Sequence, residues 1–256
     1  VVRLGANHSL VVAGRLAVEG TIEAPVRFER SGGSPWGGIR LAAGSGPHRV
    51  AHAELRGGGG RRAAMLEIEA GDALLEHVLF TESAGSGVDV EGDASPTIRS
   101  STFLRAAAQD AQPSAALRLL GTGAPTIEGN RFESNDQFAL FANPSGRPRI
   151  LANRFQFNAN DGGLTYGAVT GEGRLPSLGA RRVTWLTRGT GITVAPSATL
   201  TIDPGATIRL GTGTGIQVNG ALRVLGEPGR EVWFTSEDPA SRLPGQWTEI
   251  RFNPGS

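Results

Sequence analysis

Cysteine is absent from the 256 residues, and with it disulfides, thiol nucleophiles and cysteine metal sites. Lysine is absent too: all 25 basic residues are arginine, which excludes Schiff-base catalysis and lysine–asparagine isopeptide links. Aromatics make up only 6%, and stretches with the spacing of an amphipathic helix are hard to find. No apolar run approaches the ~20 residues of a membrane span. No basic run is longer than Arg61-Arg62 or Arg181-Arg182 and the formal charge is +1, so nucleic acid is not expected as a partner. There is no initiator Met; the chain opens in the strand-like Val1-Val2-Arg3-Leu4, as a processed product or an excised segment does.

What is abundant is turn chemistry, with 38 glycines and 15 prolines, around short runs of alternating apolar and polar residues. One pattern in residues 115–158 is written twice at a spacing of 23. Leu117 maps onto Leu140, Ile127 onto Ile150, Asn130 onto Asn153, Phe132 onto Phe155 and Asn135 onto Asn158. A constant offset across several short alternating segments is one structural unit stacked on its copy. Phe80, Phe103, Phe132 and Phe155 step by 23, 29 and 23, the longer step accommodating a loop at 106–113. Residues 167–182 break the pattern with Gly, Arg and Pro and are expected to form a loop. Beyond them Ile192, Leu200, Ile208 and Ile216 recur every 8 residues, so three strands complete a turn in 24.

A second echo is longer. Val2-Arg3-Leu4-Gly5 matches Ile208-Arg209-Leu210-Gly211 at an offset of 206, Val26-Arg27-Phe28 matches Val232-Trp233-Phe234 at the same offset, and a five-residue insertion then carries Trp36 to Trp247 and Ile39 to Ile250. The division expected is a body of coils with surface loops over 1–182, continued over 183–256 by coils that begin the next copy of a ~206-residue module.

Ile127-x-x-Asn130-x-Phe132-x-x-Asn135, its copy at 150–158 and a degenerate version at 98–103 resemble the right-handed parallel β-helix of the pectin-lyase-like superfamily. The fold implied is all-β, a solenoid with coils of about 22–24 residues and three short strands per coil. Residues 199–252 look like the strand-rich repeats that accompany such helices in large bacterial surface and secreted proteins, which implies an extracellular or cell-surface location. The superfamily includes lyases, hydrolases, epimerases, adhesins and segments without catalysis, so the resemblance implies fold more than activity.

Stacked coils lie ~4.8 Å apart. Asn130 and Asn153 are then placed for a side-chain ladder, and Phe132 and Phe155 for an inward stack. The candidate ligand face is acidic: Glu67 and Glu69 fall 22 residues before Asp89 and Glu91. Those four carboxylates on adjacent coils suit a Ca²⁺ ion, with Glu67 and Asp89 as its ligands, or an acid pair. Arg40 and Arg118 at the equivalent positions of flanking coils give the competing reading, charges that alternate to stabilise stacking. His52 and His77 fall at equivalent places and could stack, either as a shared proton or metal site or as polar turn residues; His8 and His48 have no evident partner. Trp36 and Trp247 share a repeat position that suits covering a coil edge, leaving Trp185, Trp233 and Phe141 as the aromatics expected to be exposed.

The reading these features favour is a non-catalytic, elongated structural or adhesive segment that meets itself or adjacent modules end to end, with no cofactor beyond the Ca²⁺ just considered. The alternative is a polysaccharide lyase or glycoside hydrolase acting on extracellular polysaccharide at the outer face, with Glu67, Asp89 and Arg118 as its candidate catalytic residues.

Overall fold

The computed structural model describes residues 1–44, 46–60, 64–107, 113, 115–179, 182–238 and 244–254. Arg61-Arg62, Arg181 and most of the expected loop at 106–113 lie outside the described residues. Every regular element among them is a strand, and consecutive coils pair in parallel.

One face is a ten-stranded sheet that runs nearly the length of the chain, from Leu10–Val12 through Ile39–Leu41, Ala64–Ile68, Ser86–Val90, Ala115–Leu119 and Phe138–Ala142 to Trp233–Ser236. Its register is the one the repeats require: Leu117 lies opposite Leu140 and Val88 opposite Leu117. Two further faces share an eleven-stranded sheet that bends at a corner. The long strands His48–Arg56 and Ala73–Thr81 run around that corner, whereas later coils divide there, as at Thr97–Arg99 and Thr102–Leu104.

The corners are built from single left-handed residues. His52, His77, Ser100, Gly129 and Ala152 form one column with φ of 48°, 54°, 49°, 62° and 52°. Gly57, Glu82, Arg105, Ser134 and Phe157 form a second, with φ between 53° and 70°. One αL residue between two extended segments turns the chain sharply, at about 1–2 kcal/mol for a residue with a Cβ. The stacking of each corner on the next compensates that cost. The residue after each corner points inward. Asn130 Nδ2 donates to Asn153 Oδ1 at 3.0 Å and to the Ile98 carbonyl at 2.8 Å, and Ser101 N–H donates to Asn130 Oδ1 at 2.9 Å. In the second column Asn135 Nδ2 donates to Asn158 Oδ1 at 2.6 Å. Beside the ladders Phe80, Phe103, Phe132 and Phe155 stack with centroids 5.0, 4.7 and 5.1 Å apart.

The expectation of a loop at 167–182 is corrected. Gly167–Val169 and Glu172–Leu175 are strands, the first members of a four-stranded and a three-stranded sheet that carry the coils to the end. Val169, Leu175 and Leu178 supply the buried side chains. The glycines let the path change: Gly167 has φ of 110°, and a Cβ on Gly173 would lie 2.0 Å from the Pro144 carbonyl oxygen. Small residues that read as a break are what allows the chain to cross onto new faces.

The two ends share their pairing. Val2 lies opposite Phe28 as Ile208 lies opposite Phe234, and Leu10 opposite Ile39 as Ile216 opposite Ile250. The first set belongs to the eleven- and ten-stranded sheets, the second to the ten- and four-stranded sheets, so the echo recurs one face further round. Apolar side chains are exposed at both ends, among them Leu10 and Val11 at one and Val224 and Phe252 at the other.

Candidate functional site

Strand alternation sends one residue of each coil outward from the ten-stranded face. Register places Arg40, Glu67, Asp89 and Arg118 in that row on successive coils, followed by Phe141, Leu164 and Leu186. The row is therefore charged in its first part and apolar in its second. Phe141 and Leu164 are buried with Ala115, Phe138 and Leu186 in a small outer cluster, where Tyr166 meets Phe141 edge-on at 5.5 Å.

The four carboxylates divide into two environments. Asp89 faces Arg118: Nε donates to Oδ1 at 2.7 Å and Nη2 to Oδ2, while Ser86 Oγ also donates to Oδ1. The side chains of this pair are only 3% and 5% exposed, which makes it a buried two-point ion pair rather than a solvated one. Glu69 accepts from the Arg40 guanidinium and, through Oε2, from Ala43 N–H at 3.1 Å. Glu67, Glu69 and Glu91 each bring one carboxylate oxygen within 4.8 Å of the others. Burial, followed by the charges of Glu67, Asp89 and Glu69, raises the Glu91 pKa above its ordinary 4.5. Of the two residues expected to hold Ca²⁺, Glu67 thus faces Glu69 and Glu91, whereas the Asp89 carboxylate is turned to Arg118. Ca²⁺ takes 6–8 oxygens, and two of the four carboxylates here already have protein donors on both oxygens.

The same Arg–Glu arithmetic recurs on the other faces. Glu76 is bound by Arg99 through Nε at 3.0 Å and by Arg49 from the coil before, and these contacts hold its carboxyl below the usual range, Arg99 first. Arg56 Nε donates to Glu82 Oε2 at 3.0 Å and Arg3 Nε to Glu29 Oε1 at 2.9 Å. With no lysine in the chain, every such cation is a planar guanidinium able to bridge neighbouring coils.

His52 and His77 stack at 4.7 Å with 9° between ring planes, both at the left-handed corner that Ser100 occupies one coil later. His48 has the partner its sequence context did not suggest: it is buried, and its Nδ1 accepts Leu16 N–H at 3.1 Å. Trp36 is fully buried, donating Nε1–H to the Arg56 carbonyl at 2.8 Å and lying against Gly58, where a Cβ would meet the indole at 2.6 Å. The expected exposure of Trp185 and Phe141 is corrected, since both are buried. Trp185 fits over Gly163, where a Cβ would stand 2.4 Å from the ring, and donates to the Pro176 carbonyl at 2.7 Å. Trp233 alone of that trio is exposed, at 45%. Sequence reasoning missed Ser86, and also Asp161, whose Oδ1 accepts both Asn158 N–H at 2.9 Å and Asn158 Nδ2 at 2.7 Å. The one signal for Asp161 was its place three residues after Asn158.

Parallel coils, inward ladders and left-handed corners define a β-solenoid. The chain belongs to the right-handed β-helix family, whose model, described as a right handed beta helix region, matches residues 38–203. No match was found among curated proteins or among solved structures.

Proposed function

We propose that this chain is a non-catalytic, elongated structural or adhesive segment of a secreted or cell-surface protein, stiffened by charge pairs between coils and meeting itself or adjacent modules end to end. The observation that carries the reading is the engagement of Asp89 and Arg118, the two residues best placed for outer-face catalysis, with each other in a buried pair. A nucleophile, base or substrate-binding cation needs access to its substrate, and these two have almost none. The shared pairing at the two ends supports contact end to end, because equivalent coils stand at both exposed edges. A polysaccharide surface remains compatible with an adhesive role, with the exposed Trp233 as a stacking platform.

One observation favours the enzymatic alternative. Glu91, with its raised pKa beside Glu67 and Glu69, has the character of a general acid. Incubation with a panel of acidic and neutral polysaccharides, followed by the release of new chain ends, separates the two readings. No release is expected. Release by the wild-type chain that disappears in Glu91→Gln while the fold is retained overturns the structural reading.

A further inference from the structure

Two faces of the solenoid end inside the molecule rather than at its tips. Strand Arg149–Leu151 pairs with Thr126–Glu128, and strand Arg154–Gln156 with Arg131–Glu133; among the described residues neither has a strand on its other side. The coils from Gly167 onward run through other faces and leave this edge behind. In a parallel ladder, successive residues address opposite neighbours. Arg149 N–H donates to the Pro125 carbonyl at 2.9 Å and the Leu151 carbonyl accepts from Gly129 N–H at 3.0 Å, so the N–H and C=O of Ile150 face the open side. Arg154 N–H to the Asn130 carbonyl at 2.8 Å and Ser134 N–H to the Gln156 carbonyl at 3.3 Å do the same for Phe155. An open edge of this kind is a template for an added strand.

The corner between the two strands carries a second vacancy of matching register. In each earlier coil the corner N–H is capped by a side chain from the following coil: Val78 N–H by Ser101 Oγ at 3.1 Å, Ser101 N–H by Asn130 Oδ1 at 2.9 Å, Asn130 N–H by Asn153 Oδ1 at 2.9 Å. Asn153 N–H has no acceptor among the described residues. The neighbouring column shows what kind of group fits, because there the last member, Asn158, gives both its main-chain and its side-chain N–H to the Asp161 carboxylate. Charge points the same way. Arg149 and Arg154 are exposed on this edge and make no ion pair among the described residues, unlike Arg131 with Glu133 one coil earlier. Leu151 and Phe157 beside them are exposed apolar side chains. A cavity of about 370 Å³ opens there, with Arg149, Ile150 and Leu151 on one wall and Arg174, Pro176 and Asp203 on the other.

We propose that the edge formed by residues 149–156 binds an extended acidic polypeptide segment by parallel strand addition, with an Asp or Asn side chain of the segment capping Asn153 as Asp161 caps Asn158. The open main-chain groups of Ile150 and Phe155 select a polypeptide over a polysaccharide, since only a peptide backbone answers both N–H and C=O at strand spacing. Acidic side chains at the outward positions meet Arg149 and Arg154. The proposal is independent of whether the outer face at Glu91 is catalytic.

A probe can be written from the preceding coil. Residues 126–133 read Thr-Ile-Glu-Gly-Asn-Arg-Phe-Glu; the labelled peptide Glu-Ile-Glu-Gly-Asn-Glu-Phe-Glu keeps the inward Ile and Phe, the corner Gly and the ladder Asn, and puts carboxylates opposite the two arginines. Fluorescence anisotropy with the whole chain is expected to show saturable binding, weakened about tenfold or more in Arg149→Glu/Arg154→Glu. Hydrogen exchange on the wild type is expected to show the Ile150 and Phe155 amides becoming protected when the peptide is bound. Absence of binding, binding of a scrambled peptide with equal affinity, or binding without protection of those two amides overturns the proposal. So does protection of the same amides by polygalacturonate and not by the peptide.

Discussion

Asn130 gives both its main-chain N–H and its side-chain amide to one atom, the side-chain oxygen of Asn153, at 2.9 and 3.0 Å. The same amide reaches back to the Ile98 carbonyl, and the Asn130 oxygen caps Ser101 N–H, so one side chain ties three coils together. Truncation strands buried main-chain groups on both sides. Asn130→Ala is expected to cost about 2–3 kcal/mol in urea unfolding, since each stranded buried group costs roughly 1–3 kcal/mol. Asn153→Ala, at the open end of the same column, removes fewer bonds and is expected to cost at least about 1 kcal/mol less.

His48 links the first coils to acid. Burial lowers its pKa below the ordinary 6.5, and its Nδ1 accepts Leu16 N–H, which a proton on that nitrogen would prevent. Between the folded and unfolded pKa values the unfolded chain binds more protons, so stability rises with pH across that window and falls as pH drops from 6.5 through the folded value. Hydrogen exchange at the Leu16 amide is expected to lose protection below that pH once intrinsic rates are corrected, while the amides of residues 115–142 keep theirs. Equal loss across both regions contradicts this local role.

Glu91 has the opposite sign from a paired carboxylate. Its folded pKa lies above 4.5, so the folded chain binds more protons there and stability declines as pH rises from 4.5 through the folded value. Glu91→Gln is therefore expected to raise the melting temperature at pH 7, with the gain vanishing toward pH 4. Millimolar Ca²⁺ is expected to leave the wild-type melting temperature unchanged, because Glu69 and Asp89 already have protein donors. A rise abolished by Glu91→Gln would instead place an ion among Glu67, Glu69 and Glu91.

Much of the fold was legible because stacking forces like residues to recur. Leu117 over Leu140, Phe132 over Phe155 and Ile192 over Ile216 each appear in the chain as fixed offsets. The corners were less legible, since Glu82, Arg105 and Phe157 occupy left-handed positions without glycine and a single coil offers no sign of it. The burial of Trp185 could not be read from its own neighbours, because the slot that receives it is Gly163 on the coil before. The segment at 167–182 misled for a related reason: glycine there allows close backbone approach rather than a free loop. At the acidic face, register placed Glu67 beside Asp89 and Asp89 beside Arg118, but the periodic signal gave residue positions and not which carboxylate would take the buried guanidinium.

The account's central claim is that outer-face charges bind coils to one another, and a double-mutant cycle at Asp89 and Arg118 tests it most directly. Breaking a buried pair leaves a buried charge without its counter-ion, so Asp89→Asn is expected to lower unfolding free energy by about 3–5 kcal/mol. Asp89→Leu/Arg118→Met, which extends the apolar row of Phe141, Leu164 and Leu186, is expected to lie within about 1 kcal/mol of wild type or above it. An Asp89→Asn chain as stable as wild type would contradict the claim, because it would mean that the carboxylate is kept for something other than holding Arg118.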